Sequence, residues 1–242
     1  MLTYKDFETR TEFVNYLGLY HNNPTDPRPD FFKISSIAPH NYQSELQEIL
    51  ENIQHVRDTW NNQSVSQIEQ TVRKKGQQQL DIMQGQKTEK IRAGYCPDSP
   101  MYRVKNAEAT SYFYKFVEEI GLKNSLVRYH VQFPGEVTSW HTDIFSPAHE
   151  FLKETEVLPD QAVGIDRNIR RILIALEPWD WGHLLVFGKS SWLDWAAGDV
   201  IFWEYGVPHG CANMGYTPRI SVSITGQSTD QFVEICKHAR HL

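Results

Sequence analysis

The sequence predicts an α+β fold in which helices precede an antiparallel β-sandwich or barrel. Before Gly121, apolar residues recur at helical spacing. After Gly121, short segments rich in β-branched and aromatic residues are separated by glycine, proline and aspartate, as in successive strands. The chain has 242 residues, of which 40% are hydrophobic, enough for a single domain with a sizeable core. We therefore expect one domain in which helices pack against one sheet.

Residues 1–120 are predicted to form a mainly helical N-terminal region. The apolar positions of a first helix recur every three or four residues, at Leu46, Ile49, Leu50, Ile53 and Val56. A more polar helix is expected at residues 64–80, within the glutamine-rich stretch 44–90, where it could pack on the core or allow a homo-oligomer to form. A third helix is expected to be capped by Asn106 and to end at Gly121.

Residues 121–228 are predicted to form the β-sheet core, and residues 229–242 a C-terminal helix or tail. The predicted strands cover residues 126–133, 168–176, 183–187, 199–203 and 219–225. A polar segment, residues 145–167, interrupts them and contains two prolines. It is expected to form a substrate rim or lid, although a plain surface excursion would have the same composition.

Composition excludes several classes of function. A net charge of -6 and a pI near 5.9 argue against general nucleic-acid binding, which requires a basic surface. No apolar run is long enough to span a membrane, and the N-terminus lacks the apolar core of a signal peptide, so a soluble, cytoplasmic protein is expected. Cys96, Cys211 and Cys236 are widely spaced and odd in number, which favours free thiols over disulfides or a zinc ribbon.

A candidate metal site begins at His141-Thr142-Asp143. Residues two apart on a strand point to the same side, so His141 and Asp143 could take adjacent positions on a divalent metal. His209, in a predicted loop, is the candidate third ligand, and two histidines with one carboxylate are typical of non-haem iron oxygenases. His130 and His183 are alternative ligands, and the triplet alone would also suit a surface strand.

A predicted strand in which polar and apolar residues alternate strictly begins ten residues after His209. Between Arg219 and Thr225, arginine, serine and threonine occupy one face and isoleucine and valine the other. An ordinary half-solvated strand would have this pattern. If the polar face instead lines a cavity, Arg219 offers a planar fork to a carboxylate and Ser221 adds a hydroxyl donor on the same side.

Taken together, these motifs resemble those of the 2-oxoglutarate and Fe(II)-dependent dioxygenase superfamily, whose fold is a double-stranded β-helix, or jelly roll. The resemblance covers roughly residues 125–226. Residues 128–143 are similar to the strands that lead to the first metal ligands in prolyl hydroxylases. Pro208-His209-Gly210 and Arg219-x-Ser221 match the distal histidine and the cosubstrate-binding pair. Prolyl hydroxylases often have lysine at the position of Arg219, so the arginine looks closer to aspartyl/asparaginyl hydroxylases or other branches, and no subfamily is assigned.

The resemblance implies that His141, Asp143 and His209 hold Fe(II), and that Arg219 and Ser221 bind the 5-carboxylate of 2-oxoglutarate. Tyr129 could hydrogen-bond the cosubstrate from the preceding strand, or could be an ordinary core tyrosine. The implied reaction hydroxylates an amino-acid side chain, free or peptidyl, or a small metabolite, with succinate and CO2 as coproducts.

Two other functions would suit the same scaffold. A cupin-type metal-dependent isomerase or lyase normally has more histidine ligands and no arginine-serine anchor. A non-catalytic binding module would have no need to keep the ligands and the anchor together.

Overall fold

Two antiparallel β-sheets and four α-helices make up the computed structural model, which describes residues 31–62, 102–141, 169–203 and 207–241. The strands are β1 (Phe32–Ser36), β2 (Asn61–Asn62), β3 (Arg103–Asn106), β4 (Leu122–Gln132), β5 (Val137–His141), β6 (Ile169–Ala175), β7 (His183–Phe187), β8 (Ser190–Trp192), β9 (Asp199–Phe202), β10 (His209–Asn213), β11 (Arg219–Ser228) and β12 (Arg240–His241). The helices are α1 (Gln43–Glu51), α2 (Ile53–Thr59), α3 (Tyr112–Glu119) and α4 (Asp230–Lys237), with a 3-10 turn at Pro39–Asn41.

Successive strands alternate between the two sheets. The large sheet has the order β12-β1-β9-β6-β11-β4-β3-β2, and the small sheet has the order β5-β10-β7-β8. From β4 to β11 the chain crosses from the large sheet to the small one and back, with β7 and β8 forming a hairpin in the small sheet. This alternation between two antiparallel sheets makes the fold a jelly-roll sandwich.

The large sheet is covered on both faces. On its outer face, Val222 and Ile224 of β11 are fully buried in a cluster that includes Phe113 of α3 and Phe232 of α4. On its inner face, side chains from both sheets and their flanking segments form a second cluster, which comprises Phe31, Leu173, Ala175, Leu185, Phe187, Trp192, Trp195, Ile201, Trp203 and Val207. Because both faces are covered, β11 is buried along residues 219–226, and the side chains on its polar face lie inside the sandwich.

The N-terminal region contains strands that the sequence did not predict. β1 pairs with β9 and β3 pairs with β4, so these segments widen the large sheet on both sides of its centre. α3 is capped by Ser111, whose hydroxyl accepts a hydrogen bond of 3.3 Å from the amide of Phe113. Asn106 instead ends β3 in register with Arg128, so the prediction that Asn106 caps this helix is wrong.

Several predicted features lie outside the described residues. These are the polar helix at residues 64–80, the segment 145–167, Cys96 and Asp143. Cys211 is a free thiol, as expected. Among the helices of the described ranges, none has the length and apolar character needed to cross a membrane.

Candidate metal and cosubstrate site

A bulge in β5 determines which of its side chains face the inside of the sandwich. His141 is in register with His209, whereas Thr138 is in register with Cys211, so β5 has one more residue than β10 over this stretch. The extra residue turns Thr138 and His141, three apart, toward the same cavity. Gly210 lies opposite the bulge, where a β-carbon would stand 3.0 Å from the Thr138 carbonyl oxygen, so the two backbones approach closely here.

The imidazoles of His141 and His209 face one another across β5 and β10. Their ring centroids are 4.3 Å apart, and both side chains are buried. The Nδ1 atom of His141 lies 2.7 Å from the carbonyl oxygen of Ser139, and that of His209 lies 3.0 Å from the carbonyl oxygen of Val207. Because a carbonyl oxygen only accepts hydrogen bonds, Nδ1 is the donor in both residues, and in the neutral ring the lone pair is then on Nε2. Two oriented imidazoles with a basic Nε2 are the donor set that a divalent transition metal requires.

The third predicted ligand, Asp143, lies two residues beyond the end of β5 and outside the described residues. Within the described ranges, no group of three histidine, cysteine or carboxylate side chains is placed to hold a metal ion. The alternative ligands have other roles. His130 shares a hydrogen bond of 2.8 Å with Ser223, and His183 contacts the Thr217 carbonyl oxygen through Nε2. The two facing imidazoles therefore need a ligand from outside the described ranges to complete a two-histidine, one-carboxylate site.

Arg219 and Ser221 line the same cavity as the two histidines. The Arg219 side chain is only 8% exposed, and Ser221 only 5%, so the polar face of β11 is not the half-solvated surface that was the alternative. Among the described residues, neither Nε nor Nη1 of Arg219 has a hydrogen-bond partner. A buried guanidinium without partners is costly, by several kcal/mol even after relaxation. The cavity is therefore suited to an anionic ligand that pairs with Arg219.

Several hydrogen bonds hold the turn before β11 against neighbouring segments of the chain. The Nδ2 of Asn213, a fully buried side chain, donates hydrogen bonds of 2.8 Å to the carbonyl oxygens of Gln132 and Thr217. The Thr217 hydroxyl donates to Asp180, and His183 contacts the Thr217 carbonyl at 3.1 Å. Burial lowers the pKa of His183, and the charge of Arg219 lowers it further. These bonds fix the start of β11, and with it the direction of Arg219.

Tyr129 does not belong to this cavity. It is in register with Val222, on the outer face of the large sheet, and its ring packs against Phe113. Its hydroxyl bonds the side chains of Ser111 and Glu45, and burial raises its pKa. The prediction that Tyr129 binds the cosubstrate is therefore wrong, because alternation along β4 directs it toward the helices.

Sequence reasoning missed three side chains that do line the cavity, namely Tyr102, Gln132 and Thr138. A signal for Gln132 was present, because His130 and Gln132 alternate with the apolar Val131 and Phe133. Thr138 carried no such signal, since its inward direction depends on the bulge. Its buried hydroxyl also has no hydrogen-bond partner among the described residues, so it could serve the same ligand as Arg219.

The fold of the chain is similar to that of several solved structures. No protein-family model and no curated protein matches the chain. Among solved structures, the non-haem α-ketoglutarate-dependent epimerase SnoN from nogalamycin biosynthesis is similar with a TM-score of 0.50 and 10% identity, over 90% of this chain and 84% of that one.

Two prolyl hydroxylases are also similar to the chain. The Pseudomonas putida prolyl-4-hydroxylase has a TM-score of 0.48 and 10% identity over 88% of this chain and 99% of that one. The viral collagen prolyl hydroxylase of Paramecium bursaria Chlorella virus-1 has a TM-score of 0.41 and 13% identity over 58% and 86%. At 10% identity, the likeness to the epimerase is a likeness of fold.

Proposed function

We propose that the protein is a 2-oxoglutarate and Fe(II)-dependent oxygenase. His141, His209 and Asp143 would hold the iron, and Arg219 and Ser221 would bind the far carboxylate of 2-oxoglutarate. The observation that carries the proposal is the buried Arg219 guanidinium in the cavity that also holds two oriented imidazoles, with two nitrogens that have no partner within the described ranges. When bound, iron and 2-oxoglutarate together activate dioxygen, giving succinate, CO2 and a hydroxylated substrate.

The protein's own residues supply position and a dry environment. Arg219 presents a planar fork that can bind a carboxylate through two parallel hydrogen bonds, and Ser221 lies on the same face of β11. Hydrogen bonds from Nδ1 to the carbonyl oxygens of Ser139 and Val207 favour the tautomer of each neutral imidazole in which Nε2 can bind a metal. Phe187 and Trp203 pack against the His209 ring and exclude water from it.

The proposed substrate class is the one that the superfamily resemblance implies. It comprises amino-acid side chains, free or peptidyl, and small metabolites. A cupin-type isomerase or lyase would bind a metal at the same histidines without needing Arg219. Binding of metal and binding of 2-oxoglutarate therefore have to be measured separately.

The test is spectroscopic and is performed without oxygen. Addition of Fe(II) and 2-oxoglutarate to the purified protein should give the weak visible band of a metal-to-ligand charge transfer. The band should be lost in His209→Ala and Asp143→Ala, and it should need far more 2-oxoglutarate in Arg219→Met. Arg170→Met is the matched control, because Arg170 lies on β6, the strand that pairs with β11, and does not line the cavity.

The outcomes separate the candidate functions. A wild-type protein that binds Fe(II) but not 2-oxoglutarate would point to the cupin-type alternative. A protein that binds neither would point to a non-catalytic module. If both bind, turnover of 2-oxoglutarate to succinate across a panel of amino acids, peptides and metabolites identifies the substrate.

A further inference from the structure

The buried hydroxyl of Thr138 lies in the cavity but has no part in the function proposed above. The residue is 4% exposed and lines the same cavity as Arg219. Among the described residues, its Oγ1 has no hydrogen-bond partner. Because buried polar groups in folded proteins are rarely left without a partner, this hydroxyl indicates a partner that belongs to a ligand.

Thr138 and Arg219 lie in one layer of the sandwich and extend from opposite sheets. In the small sheet, Thr138 of β5 is in register with Cys211 of β10. In the large sheet, Arg219 of β11 is in register with Gln132 of β4. The two pairs meet where Nε2 of Gln132 donates a hydrogen bond of 3.5 Å to Sγ of Cys211. Since register partners point to the same face of a sheet, Thr138 and Arg219 enter the cavity at the same level.

A carboxylate in this layer can accept hydrogen bonds from both sheets. Packed sheets lie about 10 Å apart, and the side chains on their inner faces occupy part of that distance. Each carboxylate oxygen has two lone pairs, so one carboxylate can accept from Arg219 and Ser221 of β11 and also from Thr138 of β5. Ser221 is itself only 5% exposed. A ligand bound in this way connects the two sheets.

The bulge in β5 relates Thr138 to the candidate metal site. It turns Thr138 and His141 of the same strand toward one cavity. Three residues of a strand span about 10 Å, so the hydroxyl and the imidazole are held at a fixed separation. One elongated ligand can therefore have one end near the two histidines and the other end near Thr138.

We propose that the Thr138 hydroxyl is a third donor to the far carboxylate of 2-oxoglutarate, across the cavity from Arg219 and Ser221. This inference rests on the proposed function, because it adds a residue from the second sheet to the same cosubstrate site. A hydrogen bond to a charged acceptor is stronger than one between neutral groups, so the hydroxyl contributes to affinity although it carries no charge.

The test measures 2-oxoglutarate binding to the full chain by isothermal calorimetry, with Zn(II) as the metal because it has no redox chemistry. Thr138→Val keeps the branched shape of the side chain and removes the hydroxyl. It should raise the dissociation constant for 2-oxoglutarate about tenfold. Thr138→Ser keeps the hydroxyl and should bind 2-oxoglutarate about as tightly as the wild type.

A second ligand separates the loss of a hydrogen bond from a change in packing. 2-Oxopentanoate has the same chain length and the same 2-oxo acid end, but it lacks the far carboxylate. Thr138→Val should leave its dissociation constant, followed by ligand-observed NMR, unchanged. In an Arg219→Met background, Thr138→Val should weaken 2-oxoglutarate binding less than it does alone, because both side chains act on one carboxylate.

Three results would overturn the inference. Thr138→Val could bind 2-oxoglutarate as tightly as the wild type, which would leave the hydroxyl to a buried water. Thr138→Ser could weaken binding as much as Thr138→Val, or Thr138→Val could weaken both ligands equally, and either result would mean that packing is responsible. Failure of the wild type to bind 2-oxoglutarate would instead contradict the proposed function itself.

Discussion

A buried charged side chain without a bound ligand lowers the stability of the folded protein. The same side chain contributes to the affinity for a ligand of opposite charge. The hydrogen-bonded turn before β11 holds the guanidinium of Arg219 inside the sandwich. Two of its nitrogens have no partner among the described residues. Without an anion, this arrangement lowers the stability of the folded state. With an anion, the same nitrogens contribute directly to affinity.

Arg219→Met should therefore stabilise the ligand-free protein and weaken 2-oxoglutarate binding. We expect a rise in the free energy of unfolding of about 1–3 kcal/mol, and a fall in affinity of about 10- to 100-fold. Urea unfolding and isothermal calorimetry measure the two effects. A variant that is less stable than the wild type, with unchanged affinity, would show that the guanidinium has a structural role.

Tyr129→Phe tests the opposite face of the sheet. The hydroxyl bonds Ser111 and Glu45, and its loss leaves these polar groups with one partner fewer. We expect a loss of about 1–2 kcal/mol in the free energy of unfolding. The affinity for 2-oxoglutarate should stay the same, because Tyr129 faces the helices, and any large change in it would contradict the assignment of faces.

The local sequence could indicate which residues of β11 share a face, but not that Tyr129 faces outward. β11 alternates between polar and apolar residues, so its inner face can be read directly. In β4, Tyr129 lies between Arg128 and His130, and a tyrosine suits either an apolar core or a polar cavity. Only the register with Val222 decides between the two.

Among the structural elements, β1 joins the large sheet beside a close backbone contact. The turn into β9 contains Gly198, whose amide donates to Ala175 and whose carbonyl accepts from Ile37. Its φ of +86° lies in the left-handed region, and a β-carbon there would overlap the Ile37 carbonyl oxygen. The junction of β1 with the sheet therefore needs glycine at this position.

Gly198→Ala should lower the free energy of unfolding by at least about 2 kcal/mol, because it adds a steric overlap to the unfavourable φ. Gly135→Ala is the matched control, since Gly135 has a φ of +85° with no atom within 4 Å of the added carbon. That variant should lose about 1 kcal/mol. Equal losses in thermal or urea unfolding would show that backbone strain alone matters.

Each strand that the sequence predicted after Gly121 corresponds to a strand of the structure, whereas several strands with few aliphatic residues, such as β10, were missed. β6 and β9 are rich in isoleucine, valine and leucine, and their predicted bounds agree closely with the structure. β10, with the sequence HGCAN, contains glycine, alanine and asparagine, which have little preference for strands. It forms because β5 and β7 pair with it on both sides, which no local pattern could indicate.

At the scale of the whole molecule, the alternation of strands between sheets brings distant residues together. His141, His209 and Arg219 lie on three strands of two sheets, yet all line one cavity. Because the order of the motifs along the chain matches that of the superfamily, the resemblance predicted that these three residues lie together. The order of strands in the sheets, and the addition of β1 and β3, depend on pairing between remote segments and could not be predicted.

The pH dependence of global stability should contain a contribution from Glu177. Burial, with a smaller effect of Asp180, raises the pKa of Glu177 from 4.5 to about 6. The folded state then binds this proton more tightly than the unfolded chain, so stability falls as pH rises from about 4.5 to about 6. Glu177→Gln should remove this fall and gain about 1 kcal/mol relative to the wild type at pH 7, since solvent screens a partly exposed carboxyl. Urea unfolding at a series of pH values measures it, and parallel curves for both proteins would exclude the assignment.

The extra residue in β5 makes the assembly of the site depend on how this strand pairs as well as on side-chain identity. In an evenly paired strand, positions three apart point to opposite sides, so Thr138 and His141 could not both reach the interior. If β5 kept all of its residues and paired evenly with β10, either the hydroxyl or the imidazole would turn outward. A chain that retained every side chain named above could then still lack one of these two groups in its cavity.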